Sequence, residues 1–215
     1  MSEYNRDQWK SFKAIEATMH ALSEDRVAAL RSDLEPYLVF RRKLRVFHER
    51  FFERSCVSLC FETHRSACCG FESIFTFFAD QVITYILSKA HEREQLFEAL
   101  LRPYRSDRCV YLGPEGCVWK LPPISCAMFY CEEVKDLVFS ARPEAAELWQ
   151  ELRTAEKTFT YPDRLVLFDT IESLFRSLGV DSPHMYFHKS PGLLRIKKKA
   201  ISKTPTLPCF KPTRA

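Results

Sequence analysis

Residues 56–70 read CVSLCFETHRSACCG, and residues 109–131 read CVYLGPEGCVWKLPPISCAMFYC. These two blocks hold eight of the nine cysteines: Cys56, Cys60, Cys68 and Cys69 in the first, Cys109, Cys117, Cys126 and Cys131 in the second. Such crowding exceeds incidental core packing. Thiolates are soft ligands that suit zinc and iron–sulfur clusters, each held by about four of them. The two blocks are therefore expected to meet in space and hold a metal ion or a cluster.

The second block contains Gly113-Pro114-Glu115-Gly116 and Pro122-Pro123, so it reads as turns and irregular backbone. A bound metal would hold such a segment in one conformation, because metal-binding energy is also folding energy. In the first block Cys56, Cys60, His64 and Cys68 recur at every fourth position. On a helix they form one stripe that drifts by about 40° per step. His64 then stands as a supporting ligand or a hydrogen-bond partner to a thiolate. Cys68 and Cys69 are adjacent and cannot both reach one small ion with relaxed geometry; one serves the site while the other packs in the core or serves a second centre. The donors are all thiolates at irregular spacing, and the paired short knuckles of structural zinc modules are missing. That favours an iron–sulfur cluster, of the four-iron type, over zinc. Phe61, Phe71, Tyr111, Trp119, Phe129 and Tyr130 are placed to shield it from water.

The chain resembles the CxxCxxCC family of zinc- or iron-chelating domains, which includes flagellin lysine methylase-like proteins. The second block carries the resemblance through Cys109-Val110-Tyr111-Leu112, Cys117-Val118-Trp119, Pro123, Cys126, Phe129 and Cys131. Two arginines of the family pattern are replaced, by Pro122 and Ala127, and the first block is stretched to Cys56-x3-Cys60-x7-Cys68-Cys69. The resemblance implies a metal centre built on these cysteines. It also implies an alternative activity, a cluster-containing enzyme that modifies a protein substrate in the manner of lysine N-methylases. A third reading is an interaction module with purely structural zinc.

Outward from the blocks the chain reads as helices. Residues 6–22 are amphipathic, and Ser23 with Glu24 and Asp25 reads as the start of a second helix. Pro36 is expected in the first turn of a third, whose Arg41, Arg42, Lys43 and Arg45 form a solvated face. Residues 71–101 give the strongest helical pattern and read as one long helix. Two more helices are expected over 143–158 and 162–178, the second closed by Gly179. Residues 184–201 read as a short hairpin turning at Ser190-Pro191-Gly192. The fold class is mainly α, a helical domain with an irregular cysteine-rich metal-binding lobe. Its parts are N-terminal helices (1–54), the cysteine-rich core with a long central helix (55–135), C-terminal helices (136–181) and a basic, partly disordered tail (182–215).

The net charge of +4 is uneven. No acidic residue follows Asp181, while eight Lys/Arg do, so the first 181 residues carry 24 basic against 28 acidic side chains. The tail could touch nucleic acid or acidic surfaces, although solvation is its simpler fate. No secretory signal or transmembrane segment is expected: the most apolar run carries Glu72 and Asp80. A cytoplasmic location follows, and it argues for reduced thiols over disulfides. The five glycines form no nucleotide-binding loop, and no acid–base pair stands out, so no catalytic residue is assigned.

Overall fold

The computed structural model describes residues 1–63, 69, 75–102, 109–161, 163–191, 195 and 198. Among them it is mainly helical: α1 (Glu3–Ala21), α2 (Glu24–Phe51), α3 (Glu53–Cys56), a π-helix (Val57–Phe61), α4 (Phe78–Leu87), α5 (Ala90–Leu101), α6 (Ile124–Ala127), α7 (Glu132–Ala141), α8 (Pro143–Thr160), α9 (Leu167–Ser177) and α10 (Tyr186–Lys189). The antiparallel strands β1 (Leu112–Gly113) and β2 (Gly116–Cys117) form one small hairpin, in the register Leu112↔Cys117. No described helix is long and apolar enough to cross a membrane.

Helix α4 is the hub. It packs against α1 and α9, while α8 bridges α2, α7 and α9. Every residue from Phe78 to Ile86 is buried, so its polar side chains must find partners inside the protein. Gln81 bonds Gln8 and Ser11 of α1, Thr84 accepts from the Leu121 amide at 3.2 Å, and Asp80 accepts from the Ile124 amide at 3.0 Å. These bonds tie the second cysteine block to the hub.

The apolar residues fall into two clusters. The larger follows the stripe Leu30, Leu34, Tyr37, Phe40, Leu44, Phe47 and Phe51 of α2 onto α4, α8 and α9. The smaller joins Phe12 of α1, Leu96, Ala99 and Leu100 of α5, and Tyr111 and Trp119 of the second block, with Cys109 packed beside it. Burying such a large side chain stabilises by about 1.5–3 kcal/mol, so the irregular block is anchored by its aromatics as well as by hydrogen bonds.

Several expected boundaries move. Pro36 starts no helix; it lies on the exposed side of an unbroken α2. The apolar stripe continues on both sides of it, and Ser32, whose carbonyl loses its usual helical donor, is an exposed residue. The expected long helix divides at Ser88-Lys89, because the Glu92 carboxylate accepts from the Lys89 amide at 2.7 Å and caps a new start. Residues 70–74, at its beginning, lie outside the described set. The last long helix begins at Leu167, not near residue 162, and ends as expected at Gly179 (φ +85°), whose amide bonds the Arg176 carbonyl at 3.0 Å. The expected hairpin at 184–201 is replaced, over its described part, by α10. Ser182, His184, Met185 and Phe187 are buried, so the start of the expected tail is packed core.

Candidate metal centre

The second block folds around its turn residues. The hairpin reverses at Pro114-Glu115, and Gly116 takes φ +106°, a conformation that side chains rarely adopt. Cys117 ends the hairpin, and Cys109 stands just before it. The Leu112 amide bonds the Cys109 carbonyl at 3.1 Å, and the Val118 amide bonds the Tyr111 carbonyl at 3.0 Å. Cys126 rides on the short α6. The Cys109 amide donates to the Cys69 carbonyl at 2.7 Å, which brings the first block against the second.

Cys56, Cys69, Cys109, Cys117 and Cys126 line one cavity of about 640 Å³. Their electrostatics separate them. Cys69, Cys109, Cys117 and Cys126 act on one another, whereas the thiol neighbours of Cys56 are Cys131 and Cys60. Cys69 is linked to both sets, since Cys60 also acts on it. Burial comes first among the causes that push these thiols up: Cys56 and Cys126 to about 11, Cys109 and Cys117 to about 12, and Cys69 upward as well. Cys117 is an exposed residue at the hairpin, yet its atoms line the cavity, and the charges of Cys69 and Cys126 act on it. Amides oppose the shift: those of Tyr111 and Trp119 bond the sulfurs of Cys109 and Cys117. Such bonds favour the thiolate and are the outer support that sulfur ligands use.

Of the nine residues expected at the site, seven lie in the described set, and five of these line the cavity. Cys60 and Cys131 do not. Cys131 instead caps the start of α7 and packs beside the main core. His64 and Cys68, like the tail cysteine Cys209, fall outside the described residues, so the stripe of four can be followed only as far as Cys60. Among the described residues, no three His, Cys, Asp or Glu side chains form a group that could hold a metal ion. Five of the described thiols share one cavity lining but are not closed into a coordination sphere. The donor chemistry fits a soft metal: four mutually acting thiols, with amide support on two of them.

Three residues near the site were not assigned to it from the sequence. Arg41, expected on a solvated face, is only 6% exposed. It donates to the Pro122 carbonyl at 2.7 Å and to the Tyr37 hydroxyl at 2.9 Å. It thereby ties α2 to the Pro122-Pro123 loop. Asp80 faces the same loop from α4, its carboxyl pushed up to about 7 by burial against the pull of the Ile124 amide and Arg41. His48 hydrogen-bonds the Tyr130 hydroxyl at 3.3 Å and stacks on its ring. The signal for Arg41 was present: it falls on the apolar stripe of α2, between Tyr37 and Leu44, where a charge must find internal partners. No known family model, curated protein or solved structure matches this chain.

Proposed function

We propose that this is a metal-binding protein whose Cys69, Cys109, Cys117 and Cys126 hold an iron–sulfur cluster or zinc. The observation that carries the reading is that these four thiols, from blocks far apart in sequence, line one cavity. The resemblance to the CxxCxxCC domains points the same way. Four thiolates leave a net dianionic centre with zinc or with an oxidised four-iron cluster. Arg41, Arg42, Arg45 and Lys120 line the same cavity and would offset that charge. The aromatic Tyr111, Trp119 and Tyr130 beside the thiols favour the cluster, since shielding from water tunes its potential.

When bound, a cluster would supply one-electron chemistry, whereas zinc would hold the fold. The chain's own part is to gather the thiols, bond two of them with amides and keep the site between cations and aromatics. Anaerobic purification with iron, sulfide and zinc analysis tests this. Iron with sulfide and broad visible absorption marks a cluster, and colourless protein with one zinc per chain marks the other metal. A protein that takes up neither iron nor zinc after anaerobic reconstitution ends the proposal.

A further inference from the structure

The cavity is larger than its thiol wall requires. The proposed four-thiolate centre would use only the cysteines of its lining, while about 640 Å³ falls within the usual range of small-molecule sites. One face of α2 also lines the cavity. Leu38, Arg41, Arg42, Leu44, Arg45 and His48 recur there at helical spacing, and all line the cavity. Lys120 adds a fourth cation from the second block. No carboxylate appears among the described lining residues.

The counter-charges stand outside the cavity. Arg42 pairs with Glu35 at 2.8 Å, Arg45 with Glu49 at 3.4 Å and Lys120 with Glu92 at 2.8 Å. These pairs are solvent-exposed, and such pairs contribute only about 0–1 kcal/mol, so an entering anion can compete for the cations. Arg41 differs. It is buried and held by the Pro122 carbonyl and the Tyr37 hydroxyl, which fixes a cation at the cavity wall.

We infer that the cavity takes a small organic anion, a carboxylate or phosphate on an apolar or aromatic body. The anionic end meets Arg41, Arg42, Arg45 and Lys120, and the body lies against Leu38, Leu44 and Trp119. The inference rests on the proposed metal centre for one point, that the ligand sits beside a metal and not in place of one. It narrows the function from holding a metal to presenting it to a ligand of defined charge.

Calorimetric titration with phenyl phosphate tests it, with benzyl alcohol as the uncharged control and inorganic phosphate as the control without a body. Metal-loaded and chelator-stripped protein are titrated side by side, and metal content is measured separately. One-to-one binding of phenyl phosphate is expected, weakened at least about tenfold in the R42Q/R45Q double variant and by raised salt. Both controls should bind at least about tenfold more weakly than phenyl phosphate. Arg42 and Arg45 are exposed, so this variant should fold, and circular dichroism checks that it does. Equal binding by the variant, equal binding of benzyl alcohol, or no saturable binding of phenyl phosphate overturns the inference. If phenyl phosphate binds to a protein that takes up no metal, the metal proposal fails and the anion site stands.

Discussion

The amide of Cys109 donates to the carbonyl of Cys69 at 2.7 Å. This bond joins the two cysteine blocks through the backbone, independently of their sulfurs. It holds Cys69 and Cys109 together through main-chain atoms alone, while the cavity lining divides the described cysteines into five that line it and two that do not.

Serine replacement should separate those groups. C109S, C117S and C126S are expected to lose metal, because each thiol lines the cavity among the mutually acting four. C60S and C131S should keep it, since neither lines the cavity. Metal-to-protein ratios after reconstitution check this. Full occupancy in C126S would contradict the assignment.

Metal uptake should release protons. All four proposed ligands are pushed up by burial, so at neutral pH they are thiols in the metal-free protein. Binding as thiolates then liberates about four protons per centre. Calorimetry in buffers of different ionisation enthalpy counts them. A release near zero would mean that the metal binds elsewhere.

Removing Arg41 should loosen the loop that carries Cys126. R41M leaves the Pro122 carbonyl and the Tyr37 hydroxyl without their buried donor, a loss of about 2–4 kcal/mol. R41K restores the charge but not the two-pronged geometry and should recover only part. Urea unfolding measures both. A methionine variant as stable as the parent would show that the guanidinium is not needed there.

Gly116→Ala should cost about 1–3 kcal/mol, because the residue sits at φ +106°. Space is not the obstacle: an added Cβ would meet nothing within 4 Å. The strain falls on the hairpin next to Cys117, so metal affinity should drop along with stability. Chelator competition against the parent protein reads the affinity.

Stability should fall as pH rises from about 5 to about 8. Asp80 is pushed up to about 7 and Glu172 to about 8, in both cases first by burial. The unfolded chain gives up these protons near pH 4, whereas the folded chain keeps them. At these two carboxyls the folded state binds more protons across this window, and the stability they contribute is lost as pH passes through the raised values; His48, His184 and His188, pushed down by burial, act the opposite way only below about 6.5. The groups around Asp80 include Arg41, and those around Glu172 include Arg176 and His188. Urea midpoints at about pH 5.5 and 8.5 decide the matter. A flat or rising profile would refute it.

Much of the helical architecture was legible because its signals are local. Ser23 caps α2 as read, Pro143 opens α8 and Gly179 closes α9. What the sequence hid depends on distant partners. Pro36 looked like a boundary, but tertiary burial on both sides of it carries the helix through. Arg41 looked solvated because its partners lie at Tyr37 and Pro122, the second of them 81 residues away. Of the candidate site, density and turn chemistry pointed to Cys109, Cys117 and Cys126, and these line the cavity. That Cys60 and Cys131 do not line it was not legible, because it depends on how the blocks are oriented on the hub.

The bond from the Ser182 hydroxyl to the Ser11 hydroxyl, at 3.0 Å, spans 171 residues of sequence. It bears on the order of assembly. The inner polar face of α1 needs Gln81 as well as Ser182, so it stays incomplete while most of the chain is still being made. At about 5–20 residues per second, that wait is on the order of ten seconds on the ribosome. Helix α1 is thus made well before it is finished, and the hub built around α4 closes late, after both cysteine blocks are already outside.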